Sequence, residues 1–324
     1  VLFNNLTIDK GGFAAVSIAI GDVIHVEGTL NLKDGSANNG AIRLTGDLEH
    51  HANFGGGTAD LFILGEDPRV NTFTGGSIMD IILHAPNTVL FGPDSGSFTF
   101  NRVTVQSGSI IGSGGTITFN SVFSQTGGLV RMGTGTTNFS NTFTEDGGLF
   151  LGGSGAINHS SSFTITSGTY TGSSGTLDIN NAVTLNGGTF TAPSGTMYVQ
   201  TSWTNNGGQF LHNSGSVVFD TTSSTTVNID QREIFNNLKI DKGGSAYISI
   251  NSSDILVVEG ELSLQDGQSN NGAIRLNGDL THNPDFGGGT TDLYIVDNKQ
   301  RIIEFEGGSL MDLVMHAPEV VMFS

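Results

Sequence analysis

The feature that most constrains this chain is a period of 20 residues. Gly128, Gly148, Gly168, Gly188 and Gly208 follow it, as do Gly115, Gly135, Gly155, Gly175, Gly195 and Gly215. Apolar residues keep the same step. Phe123, Phe143, Phe163, Val183 and Trp203 form one file, and Val130, Phe150, Tyr170, Phe190 and Phe210 form a second. A third file runs through Phe119, Phe139, His159, Ile179, Val199 and Phe219, with Ile117, Thr137, Ile157, Leu177, Met197 and Val217 two residues earlier. A two-residue alternation belongs to strands and not to helices. The Thr, Val, Ile and Phe content of these segments, punctuated by glycine pairs, fits short strands joined by tight corners. Three such strands and their corners fill one period. Each period is therefore predicted to be one coil of a right-handed parallel β-solenoid (β-helix), an all-β elongated rod with like residues superposed about 4.8 Å apart.

A longer repeat brackets the short one. Residues 2–91 align with residues 234–323 without a gap, and 51 of the 90 pairs are identical. Phe3-Asn4-Asn5-Leu6 returns as Phe235-Asn236-Asn237-Leu238, and His84-Ala85-Pro86 as His316-Ala317-Pro318. Three regions follow: 1–92, a first copy with irregular, wider coils; 93–232, the regular coils; and 233–324, a second, partial copy. In the first copy Leu6–Ile8, Val23–Val26, Leu30–Leu32, Ile42–Leu44, Leu61–Ile63, Ile78–Leu83 and Val89–Phe91 read as strands, with a small inserted β-sandwich as the alternative to wider coils. The chain reads as an excerpt of a longer protein with further copies beyond it.

Composition narrows the chemistry. With 12 Lys and Arg against 30 Asp and Glu the net charge is −18, which repels phosphate backbones and excludes a basic stripe for nucleic acid. There is no cysteine, hence no disulfide, thiolate metal site or cysteine nucleophile. No apolar run reaches the roughly 18 residues of a membrane-spanning helix.

Glycoside cleavage needs two carboxyl groups facing each other across a substrate. Asp60, Asp80, Glu27 and Asp47, with their copies Asp292, Asp312, Glu259 and Asp279, are the candidates for such a groove. In the regular coils Arg131, Glu145, Asp146 and Asp178 do not recur in register, and the lone Trp203 falls in a core file. Gly55-Gly56-Gly57-Thr58-Ala59-Asp60-Leu61-Phe62-Ile63 and its copy Gly287–Ile295 partly match a calcium-binding nonapeptide. Thr58 and Thr290 replace the glycine at its fourth position, and no second nonapeptide completes an oxygen cage, so a glycine-rich turn capped by Asp60 or Asp292 is the plainer reading. His50 keeps its counterpart His282, but His51 becomes Asn283, which argues against a duplicated metal site. His84 and His316 read as rings bonded to backbone carbonyls, and His159 as a satisfied core imidazole. Asn4-Asn5, Asn38-Asn39 and Asn236-Asn237 read as turn residues bonding along the stack. No catalytic, cofactor or metal residue is assigned, and calcium is the one ion kept in view.

Phe3–Gly12 with Val26–Gly35, and again Phe235–Gly244 with Val258–Gly267, resemble repeats of very large secreted surface adhesins of gliding and predatory bacteria, exported by the type IX secretion system. The resemblance implies an extracellular or cell-surface appendage whose repeats set reach, with glycan or cell binding carried by regions outside this chain. The expectation is a non-enzymatic structural segment, a rigid spacer that associates with further repeats or with copies of itself. The alternative is a carbohydrate-active β-helix, a lyase or hydrolase, with an acidic groove.

Overall fold

The structure, a computed structural model, describes residues 1–69, 71–90, 96–112, 114–296, 301–316 and 321–323. Among these every regular element is a β-strand, and no helix is long and apolar enough to cross a membrane. Every pairing between strands is parallel, and the strands stack as the coils of a β-solenoid. The chain divides into two compact units, residues 1–161 with 166–173, and residues 162–165 with 174–324.

In the first unit a regular coil comprises Ile117–Phe119, Phe123–Gln125 and Leu129–Arg131. In its first two strands side chains alternate between buried and half-buried, so the middle residue of each triplet faces outward. Ile117 pairs with Thr137 and Thr137 with Ile157; Phe123 pairs with Phe143, and Val130 with Phe150. Sequence periods thereby become ladders. The Phe119 and Phe139 rings stack at 4.8 Å, Phe139 and His159 at 4.6 Å, and Phe150 and Tyr170 at 4.5 Å. At about 25 cal/mol per Å² and roughly 150 Å² or more per ring, one phenylalanine rung contributes a few kcal/mol before its ordering entropy is subtracted.

The two corner glycines answer different demands. Gly128 and Gly148 take positive φ, +70° and +91°, which L side chains rarely adopt. Gly135 and Gly155 are instead needed for proximity: a Cβ on Gly155 would collide with the Gly135 carbonyl oxygen, and one on Gly135 with the Gly115 carbonyl oxygen. On the outside, Asn158 Nδ2 donates to Asn138 Oδ1 at 2.8 Å, so polar residues also bond rung to rung.

The first copy of the long repeat is solenoid and not sandwich. Leu6 pairs with Leu30, Leu30 with Leu48 and Leu48 with Asn71, all parallel, in steps of 24, 18 and 23 residues. In the second unit Leu238 pairs with Leu262, Leu262 with Leu280 and Leu280 with Ile303, which repeats those steps. The coils are thus wider and narrower than 20 in turn, with the excess placed in corners. Ile78–Leu83 is not one strand: Gly76–Ile78 pairs with Phe98–Phe100, and a second strand, Asp80–Leu90, starts after the buried Met79 and pairs with Val103–Ile111. Phe91, Ala317 and Pro318 lie outside the described residues.

In the second unit the ladders continue through Leu177, Met197 and Val217, and through Ile179, Val199, Phe219 and Ile240. Trp203 is fully buried and pairs with Val183, as its file requires. The turn asparagines behave as read: Asn5 Oδ1 accepts from Thr29 N at 2.7 Å, Asn38 Oδ1 from Thr58 N at 3.1 Å and Asn237 Oδ1 from Glu261 N at 2.8 Å.

Candidate functional site

Parallel stacking does bring two of the candidate carboxylates together. Asp60 and Asp80 open successive strands in register. Arg102, from the next coil, closes over both: its Nη2 lies 2.5 Å from Asp60 Oδ1 and 3.1 Å from Asp80 Oδ2. Asp80 Oδ1 also accepts from Asn101 Nδ2 at 2.6 Å and from the Arg102 amide at 3.1 Å. The guanidinium neutralises the repulsion of the two stacked acids and engages an oxygen of each, which makes the group an ion-paired clamp. It also supplies the cation at Asp60 that the nonapeptide reading assigned to calcium. Thr58 has a turn role, its hydroxyl accepting from Asn39 N at 3.2 Å. Among the described residues no group of three His, Cys, Asp or Glu converges to hold a metal ion. Removing the clamp with Arg102→Ala should lower stability by about 1 kcal/mol, since the groups are partly exposed. The deficit should shrink in about 1 M salt, read from urea midpoints at two ionic strengths.

Of the other candidates only the second copy of this pair is brought together. Asp292 and Asp312 are again in register, and Tyr294 OH donates to Asp292 Oδ2 at 3.4 Å. Glu259 lies 3.5 Å from His212 Nε2, and Asp279 Oδ1 accepts from Ile302 N at 2.8 Å. Glu27 is an exposed corner residue, and the Asp47 carbonyl accepts from Leu30 N.

The histidine readings are redistributed. The rings bonded to backbone carbonyls are those of His50 and His282, whose Nε2 atoms lie 3.0 Å from Ser77 O and Ser309 O, whereas His84 and His316 are exposed. Burial pushes His50 down to about 4, so it stays neutral between Phe54 and Phe73. His159 is fully buried, with Nε2 3.4 Å from Tyr170 OH, and burial lowers it to about 3.

Sequence reasoning missed three interior ionisable residues. Glu145 is fully buried on the file next to Gln125, and neither of its carboxyl oxygens has a hydrogen-bond partner among the described residues. Burial, reinforced by the charge of Asp146, pushes it up to about 9. Glu233 accepts from Trp203 Nε1 at 3.2 Å and Asn205 Nδ2 at 2.8 Å, and burial raises it. Lys242 is buried with Nζ bonded to Thr221 and Thr225, and burial lowers it to about 8. The signal was present in the sequence: Glu145 falls on an inward file, two residues after Phe143.

A concavity opens on the outward surface of the second unit among the described residues. Tyr198, Val218 and Lys239 are in register on Thr196–Val199, Ser216–Phe219 and Asn237–Asp241. The short Val218 between two long side chains leaves a groove of about 490 Å³. Asp220 and Asp241 line one flank, and Ser216, Asn237 and Glu261 the other. Lys239 Nζ is 2.8 Å from Asp241 Oδ2, and Thr281 donates to Glu261 Oε1 at 2.8 Å. Burial pushes Asp220 up, with the charge of Asp178 adding to it. Compared with protein-family models, with curated proteins and with solved structures, the chain matches none.

Proposed function

We propose that this chain is a structural repeat segment of a large extracellular adhesin or filament, a spacer that holds distance and bears load at a cell surface. The observation that carries the reading is the ladders: apolar residues lie in register inside each unit, with rings stacked in the first, and amides bond from coil to coil outside. Such a chain resists extension because, within each unit, successive coils are tied by backbone hydrogen bonds, polar side chains and packing at once. The acids of the first copy support it further, since Asp60 and Asp80 are committed to Arg102. The surface location rests on the resemblance of Phe3–Gly12 with Val26–Gly35, and of Phe235–Gly244 with Val258–Gly267, to adhesin repeats.

Pulling the chain between its termini in an optical trap should give stepwise release of coils at sustained force. Extension at low force without steps would remove the load-bearing role. The catalytic alternative is tested by incubating the chain with acidic and neutral polysaccharides and assaying new reducing ends and unsaturated products. Turnover that disappears in Asp80→Asn would replace the spacer by an enzyme.

A further inference from the structure

The groove at Val218 departs from the surface around it. Outward positions of the same file in the first unit are Thr118, Asn138 and Asn158, short polar residues in register. In the second unit the file instead runs Asp178, Tyr198, Val218, Lys239, and the short residue between two long ones opens a slot two strand steps, about 10 Å, between the Tyr198 and Lys239 backbones. That span accepts one six-membered sugar ring with its substituents. Val218 itself is only 7 % exposed and forms the floor of the slot, and stacking does not require the slot, because the core rungs Val217 and Phe219 on either side of Val218 point inward and are buried.

The lining discriminates among ligand classes. An anion would meet Asp220, Asp241 and Glu261, against which Lys239, paired with Asp241, is the one cation of the lining; a cationic ligand is therefore the competing occupant that the test must separate. A neutral polyhydroxyl compound meets both halves of its hydrogen-bonding needs. Lys239 donates and the carboxylates accept; Asn237 Nδ2, which donates to Ser216 Oγ at 3.3 Å, keeps a second hydrogen, and the Ser216 hydroxyl can still donate. Tyr198 adds an aromatic surface with a polar tip, suited to a ring that is apolar on its C–H face and polar at its rim.

We propose that this groove binds a neutral saccharide, with the Tyr198 ring packed on one sugar face and Asp220, Lys239 and Asp241 engaging its hydroxyls. The inference stands apart from the spacer role, since a spacer with or without this groove would stack identically. Binding is single-ring and exposed, which places it in the weak range typical of shallow sites.

The test is ligand-observed NMR on the whole chain with neutral tetrasaccharides of β1,4-glucose, α1,4-glucose, β1,4-mannose and β1,4-N-acetylglucosamine, and tetralysine as the cationic probe. At least one tetrasaccharide should receive saturation transfer and bind with a dissociation constant below about 10 mM. Tyr198→Ala should weaken it at least about tenfold, and Val218→Phe, which fills the slot, should do the same, while Tyr198→Phe keeps the ring and most of the binding. Circular dichroism melting curves that overlay the wild type show that the variants fold; if one variant misfolds, the other carries the test. Absence of binding by all four sugars, binding unchanged in the folded Tyr198→Ala and Val218→Phe variants, or binding of tetralysine alone would each overturn the proposal.

Discussion

Phe139→Ala is expected to cost about 3–5 kcal/mol of unfolding free energy, the range for a fully buried phenylalanine that leaves a cavity. Its ring lies between Phe119 at 4.8 Å and His159 at 4.6 Å, and it meets Phe143 edge-on at 4.9 Å and Phe123 at 5.2 Å. Collapse cannot heal the gap, because the backbone on each side is fixed by parallel pairing of Thr137–Phe139 with the strands on either side. Leu149→Ala on the same coil is the control. Leu149 faces outward and is 36 % exposed, so its loss should stay under about 1 kcal/mol. Urea denaturation followed by circular dichroism measures both. Equal effects would mean that the inner files do not dominate the stability of the first unit.

Glu145→Gln should stabilise the protein, and increasingly so as the pH rises. The sign follows from the two protonation states. The unfolded chain ionises this carboxyl near its ordinary value of 4.5, whereas the folded chain holds the proton until about 9. Across that interval the unfolded state binds fewer protons than the folded one. Stability therefore falls with rising pH, by about 1.4 kcal/mol per unit for this group alone, and levels off above the folded value. The amide cannot ionise, so the variant escapes the loss. Gln125, one rung away, shows how an amide sits here: its Nε2 donates to Gly128 O and Leu149 O, both at 3.2 Å. By the same period the amide introduced at position 145 would face the carbonyls of Gly148 and Thr169. The variant should match wild type near pH 4 and exceed it by a few kcal/mol near pH 8, read as the difference between urea unfolding curves. An equal difference at both pH values would show that the native carboxyl is already ionised.

The regular coils were legible because each residue type is repeated at a fixed step and the ladder is a direct physical reading of that step. The long repeat was harder. Its coils run 24, 18 and 23 residues, so no single period aligns Leu6, Leu30, Leu48 and Asn71, and short apolar segments between glycines fit a sandwich equally well. Only the parallel pairing separates the two. The Asp60–Asp80 pairing was foreseeable from the duplicated acids, but Arg102 was not, since it lies 42 residues from Asp60 and its role exists only after coils are stacked. Carbonyl bonding was expected at His84 because a ring beside a proline at a strand end has a carbonyl nearby. His50 makes that bond instead because its strand points the ring inward between Phe54 and Phe73. The groove escaped notice because it depends on one small residue, Val218, between two large ones from neighbouring coils.

The recurring amide bonds across coils in the first unit have an evolutionary consequence. Asn120 N donates to Phe100 O, Ser140 N to Phe119 O and Ser160 N to Phe139 O, each at 2.8 Å, so three successive seams are chemically alike. Cutting out residues 120–139 would join Phe119 to Ser140 and set His159 above Phe119, a junction of the kind already present. Recombination between out-of-step gene segments can then add or delete whole coils without creating a misfit, and reach becomes a heritable quantity that changes in fixed increments.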